Sequence, residues 1–90
     1  SGLENEVRLK VGFALCRAGR HSEAIACISP VTKQDPDNGM AHYTLAYTAL
    51  DALFSVRSSR QPMPRKEKIR LIETGRTHFQ EACRLCPESV

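Results

Sequence analysis

The stretch that most constrains this chain is Val11 to Asn38, VGFALCRAGRHSEAIACISPVTKQDPDN, which reads as two short amphipathic helices joined at Gly19 and closed by the turn Asp35-Pro36-Asp37-Asn38. Val7, Val11, Ala14, Leu15 and Ala18 recur at spacings of three and four, and Ala24, Ile25, Ile28 and Val31 do the same, so each helix carries one apolar stripe. No helix buries its own stripe. A connection this short forces an antiparallel pair, whose stripes face each other and leave a remainder for a neighbour.

A second unit follows. His42, Leu45, Ala46 and Ala49 repeat the pattern of the first helix, and Gly75, Phe79, Ala82 and Pro87 repeat that of the second. Val11 and Leu45, like Gly12 and Ala46, lie 34 residues apart, whereas Pro36 and Pro87 lie 51 apart, an excess of 17. The excess falls inside the second unit, where Leu45, Ala49, Leu50, Leu53 and Val56 continue one stripe and Ile69, Ile72, Phe79, Ala82 and Leu85 form another. Both helices of the second pair are therefore expected to be long, meeting at a polar tip over Ser58 to Met63.

The expected fold is all-α, with four helices in two antiparallel hairpins. The first runs from about Leu3 to Ala18, where Gly19 supplies a left-handed cap. Ser22 is the expected cap of the second, and Pro30 is expected to kink or shorten it. Asp37 or Asn38 caps the third, which starts near Met40; the fourth starts near Pro64.

These residues resemble the tetratricopeptide repeat, whose helix-turn-helix pattern W-x2-L-G-x2-Y, A-x3-F, P is met here by Val11, Gly12, Leu15, Ala24, Ile28 and Pro36, with Arg8 where an aromatic is usual. The resemblance implies an α-solenoid fragment: residues 5–38 as repeat one, residues 39–87 as repeat two with a basic insert near 54–70, a lead-in over 1–4 and a tail over 88–90. Ser1 and Gly2 read as a cloning remnant ahead of a segment cut from a longer parent, since stacks of this kind need about three repeats for stability.

What the resemblance implies for function is a groove lined by the first helix of each pair, receiving a partner peptide or helix. By position the lining is Leu9, Phe13, Cys16 and Arg17 from the first repeat and Tyr43, Thr44, Tyr47, Leu50 and Asp51 from the second. Three of the five aromatic residues of the chain lie in that set, and tyrosines four apart offer stiff contact area with polar tips. Chaperone-binding members of the family grip an EEVD-type tail with lysine and asparagine; the matching places here hold Leu9, Phe13 and Thr44, so that ligand is not expected.

Charge supplies the alternative. The chain carries +3 overall, but Arg57, Arg60, Arg65, Lys66, Lys68 and Arg70 stand against Glu67 alone, a local +5. An elongated hairpin with a basic start to its second helix is similar to RNA-binding interferon-induced tetratricopeptide proteins in shape and charge, so an RNA, a phosphate or an acidic or phosphorylated segment is the second class of partner. Self-association through the faces left by two repeats is the third.

Other classes are excluded more quickly. No motif joins His21, His42 or His78 to a nucleophile or carboxylate pair, and no phosphate loop, HExxH or GxSxG occurs, so no catalytic residue and no cofactor is expected. His42, where the family places an inward aromatic, is expected to pack. Cys83 and Cys86 form a CxxC without a second knuckle or a preceding strand; with Cys16 and Cys27 they read as free thiols and no metal site is expected. No run of about 18 apolar residues would span a membrane, and the reading is a cytoplasmic interaction module.

Overall fold

The computed structural model describes residues 2–55 and 62–85. Four helices follow one another: α1 (Gly2–Arg17), α2 (His21–Gln34), α3 (Gly39–Ser55) and α4 (Arg65–Leu85). There is no strand among the described residues. The second hairpin is the longer, with 17 and 21 residues against 16 and 14 in the first. Val56 and residues 58–61 of the expected tip lie outside the described residues.

Gly19 ends α1 with φ of 81°. Its N–H donates to Cys16 O at 3.0 Å and the Arg20 N–H to Leu15 O at 2.9 Å, the paired bonds of a Schellman cap that only a residue free to take positive φ forms cheaply. That cap leaves no room for Ser22 to act as expected. α2 begins at His21, Arg20 stands at the N-cap position without a side-chain cap bond, and Ser22 is already inside the helix. Arg20 instead pairs with Glu23 at 2.8 Å.

Pro30 does not shorten α2, which continues to Gln34 and closes with the Asp35 N–H on Val31 O at 2.9 Å. The carbonyl that proline leaves without a donor belongs to Ala26, an exposed residue within reach of solvent. Asn38 caps α3 as expected, its Oδ1 accepting the Ala41 N–H at 3.1 Å. Pro64 stands just before α4, its carbonyl accepting from the N–H groups of Glu67 and Lys68.

α3 packs against all three other helices. What permits this is its run of small residues: Ala41, Ala46, Ala49 and Ala52 are buried, joined by Ala24 and Ala82 from the neighbours. One core cluster gathers Cys16, Ala24, Ile28 and Leu45, and a second Ala49, Ala52 and Leu71, with Ile25 packed against both.

Two expected stripes face inward only in part. Val7, Val11 and Ala14 are exposed on α1 and Ala18 just beyond its end, while Leu15 packs against the core and Asn5, Gly12 and Cys16 are buried. Ile69, Ile72 and Phe79 are exposed on α4, while Ala82 of the expected stripe is buried together with Leu71 and Gly75. Glycine explains both choices, because a bare backbone lets the neighbouring helix come closest there. A Cβ on Gly12 would lie 3.5 Å from Ala24 O, and one on Gly75 would lie 3.8 Å from Ala46 O. The two hairpins thus make their close approach at matching places.

Candidate functional site

α1 and α3 lie side by side and present an aromatic surface between them. The Phe13 and Tyr47 rings are 6.1 Å apart and inclined by 28°, and Tyr43 and Tyr47 are 6.5 Å apart at 33°, so three rings form a ladder across the two helices. Each is about two-fifths exposed, at 43%, 41% and 41% for Phe13, Tyr43 and Tyr47. Sheltered aromatics would have buried more.

Two adjoining depressions flank the ladder. One of about 260 Å³ is lined by Phe13, Met40, Tyr43, Thr44 and Tyr47, the other, of about 270 Å³, by Leu9, Lys10, Phe13, Met40 and Thr44. The Thr44 hydroxyl donates to Met40 O at 2.7 Å, which occupies its hydrogen within α3 and leaves the floor mostly apolar.

Of the nine lining residues expected from the sequence, Leu9, Phe13, Tyr43, Thr44 and Tyr47 come together here. Arg17 is exposed at the end of α1. Leu50 and Asp51 leave the face on opposite sides, since each residue turns a helix by about 100°. Leu50 lies over Gly75 of α4. Asp51 turns toward the first hairpin, where its Oδ2 lies 2.8 Å from His21 Nε2 and accepts the Cys16 Sγ–H at 3.6 Å. Cys16, also expected in the groove, is buried beneath it.

Met40 escaped the sequence reading. It is 62% exposed and borders both depressions, one turn before Tyr43 and Thr44, and the signal that could have found it is that same helical spacing counted backward to the first turn of α3.

The basic residues stand elsewhere. Arg65, Lys66, Lys68 and Arg70 are exposed at the start of α4 and line neither depression; Arg57 and Arg60 lie outside the described residues. His42 is buried as expected but does more than pack, with Nε2 on Pro36 O at 2.8 Å and Nδ1 2.8 Å from His78 Nδ1. Cys16, Cys27 and Cys83 are free thiols, and Cys86 of the CxxC lies outside the described residues. Burial pushes the Cys16 thiol above its ordinary pKa, with the Asp51 carboxylate acting in the same direction.

No family model matches the chain, and neither does any curated protein or solved structure. The fold and surface define an all-α pair of helical hairpins carrying an aromatic groove. Among the described residues, no helix is long and apolar enough to cross a membrane.

Proposed function

We propose that this chain is a protein-interaction module of tetratricopeptide type that binds a partner peptide or helix in the groove between α1 and α3, without catalysis of its own. The observation that carries the reading is the ladder of Phe13, Tyr47 and Tyr43, with Met40 beside it, left half open to solvent over two adjoining apolar depressions. Stiff aromatic rings lose little entropy on binding, and methionine adapts to irregular side chains, so this composition suits a partner's apolar anchors. The repeat assignment is supported by the matching close approaches of Gly12 to Ala24 and of Gly75 to Ala46. Free thiols suit a reducing compartment such as the cytoplasm.

Selection from a random peptide display library tests the groove. Enriched peptides should bind with roughly micromolar affinity, about −8 kcal/mol, because ordering an extended peptide offsets much of its contact energy. Tyr43→Ala with Tyr47→Ala should weaken them at least about tenfold while the helical signal is unchanged. Equal binding by the folded double variant would remove the groove from the proposal.

A second reading has its own observation. Leu3, Val7 and Val11 are exposed on α1 at one end of the stack, and Ile69, Ile72 and Phe79 on α4 at the other. Such faces suit further repeats of a longer protein or a second copy of this chain. Sedimentation that stays monomeric across a wide concentration range would eliminate the second copy. The basic start of α4 supports an acidic, phosphorylated or RNA partner; a steep fall of oligonucleotide affinity with salt is expected of phosphate contacts, and a flat one would exclude them.

A further inference from the structure

Cys16, His21 and Asp51 carry the inference, because α1, the first residue of α2 and α3 each contribute one of them to a single point. The Cys16 Sγ, one ring nitrogen of His21 and one carboxylate oxygen of Asp51 all lie within 4.8 Å of one another. The present arrangement is held by hydrogens: Asp51 Oδ2 accepts from the Cys16 thiol at 3.6 Å and meets His21 Nε2 at 2.8 Å. The Schellman cap at Gly19 sets the geometry, since it turns the chain within four residues from the buried Cys16 to His21.

We propose that Cys16, His21 and Asp51 form a binding site for zinc, with sulfur, nitrogen and oxygen as three ligands and water as the fourth. The donor set decides the class of ion. Thiolate and imidazole together select a borderline-soft late transition ion over calcium or magnesium, which take oxygen alone. Thiolate and carboxylate carry two negative charges, which match a divalent cation. Three protein ligands with one position left over is an arrangement zinc adopts.

On binding, the Cys16 thiol gives its proton to solvent and its sulfur becomes the thiolate ligand. His21 changes tautomer, so that Nε2 offers its lone pair and Nδ1 carries the hydrogen. Both contacts with Asp51 Oδ2 are exchanged for bonds to the ion. Zinc bonds of about 2.0 to 2.3 Å require the three side chains to draw in around a common centre. The Asp51 side chain is 43% exposed and so has room to move, while His21 borders a depression of about 250 Å³ that admits water.

Cobalt(II) titrated into the full chain under reducing conditions, followed by zinc, tests the site. The expected result is a one-to-one complex with a thiolate-to-cobalt charge-transfer band and intense visible bands of a tetrahedral centre, both abolished as zinc displaces cobalt. Cys16→Ala should remove the charge-transfer band. Because Cys16 is buried, that variant can lose its fold; His21→Gln and Asp51→Asn, at partly exposed side chains, should each weaken cobalt by about tenfold or more with the helical signal retained. Cys83→Ser with Cys86→Ser should bind as the parent does, and so should Tyr43→Ala with Tyr47→Ala, which separates this site from the groove. Absence of the bands in the folded parent, their survival in folded His21→Gln and Asp51→Asn with unchanged affinity, or their loss in the Cys83 and Cys86 variant would each overturn the proposal.

Discussion

His42 Nδ1 and His78 Nδ1 face each other across 2.8 Å, joining α3 to α4 with the ring planes only 20° from parallel. The Pro36 carbonyl can only accept, so His42 Nε2, 2.8 Å away, carries a hydrogen. When His42 is neutral its Nδ1 is therefore the acceptor and His78 Nδ1–H the donor. One further proton can be held with this bridge intact; a second would set N–H against N–H.

That pair makes the fold sensitive to acid. Burial lowers the His78 pKa below its ordinary 6.5, and the His42 charge acts the same way, while Glu81 opposes them. Glu81 itself is held ionised by its bond from Arg84, which also feels Asp37. With the folded value below the unfolded one, the unfolded chain binds more protons between the two. The stability from neutral His78 is thus complete above about pH 6.5 and is lost as pH falls through the folded value. Thermal melts should drop by a few degrees between about pH 7 and about pH 5, and His78→Gln should at least halve that drop. An undiminished drop in the variant would assign the acid dependence to other groups.

Gly12 on the first helix of one hairpin and Gly75 on the second helix of the other each stand at a close approach, yet alanine should affect them oppositely. A Cβ on Gly12 would lie 2.7 Å from Ile28 Cδ1 and closer still to Cγ1, and Ile28 is fully buried. Nothing there can yield, so Gly12→Ala should lose about 1 to 3 kcal/mol through overpacking. At Gly75 the nearest atoms are those of Leu50, 3.2 and 3.3 Å away on a side chain 38% exposed. That side chain can shift outward, and the gain in helix propensity should leave Gly75→Ala neutral or more stable by roughly 0.5 to 1 kcal/mol. Urea denaturation of the two variants distinguishes them; equal losses would show that Leu50 is as confined as Ile28.

The sequence was most informative where one local rule decides the outcome. Gly19 and Asn38 each act within a turn of chain, and both caps stand where the residues placed them. Helix number and the elongation of the second pair followed from apolar periodicity together with the spacing of Pro36 and Pro87. Which face of a helix turns inward did not, because Val7, Val11 and Ala14 repeat at helical spacing as well as Gly12 and Cys16 do, and backbone proximity settles the contest in favour of glycine. Phe13, Tyr43 and Tyr47 of the aromatic ladder were named through the family resemblance, whereas Leu50 and Asp51, named the same way, lie where the face gives way to α4 on one side and to the first hairpin on the other. Cys16, His21 and Asp51 could not be joined by spacing, being brought together from three helices.

Pro30 sits inside α2 with four residues of helix beyond it. It donates no hydrogen bond, and its ring crowds the carbonyl four residues back, costs that reach about 3 kcal/mol in a helix interior. Part is offset because the ring is half-buried and loses little chain entropy on folding. Pro30→Ala should raise stability by about 1 to 2 kcal/mol in urea melts; a less stable variant would show that packing of the ring outweighs the missing bond.

Arg65 and Lys66 open α4, with Lys68 in the same exposed first turns, where the unpaired N–H groups of a helix already carry partial positive charge. Each cation there costs about 0.3 to 1 kcal/mol, so the three together cost on the order of 1 to 3 kcal/mol before salt screening. Replacing them with glutamate reverses the sign of that interaction and should raise the melting temperature, most at low ionic strength. An acidic or phosphorylated segment docking at this end would meet the same three side chains together with free N–H groups, and the same substitutions should weaken it at least about tenfold. The two measurements separate the helix from its partner: a triple variant that melts lower contradicts the dipole argument, and one that binds an acidic peptide as well as the parent removes the basic face from any role in recognition.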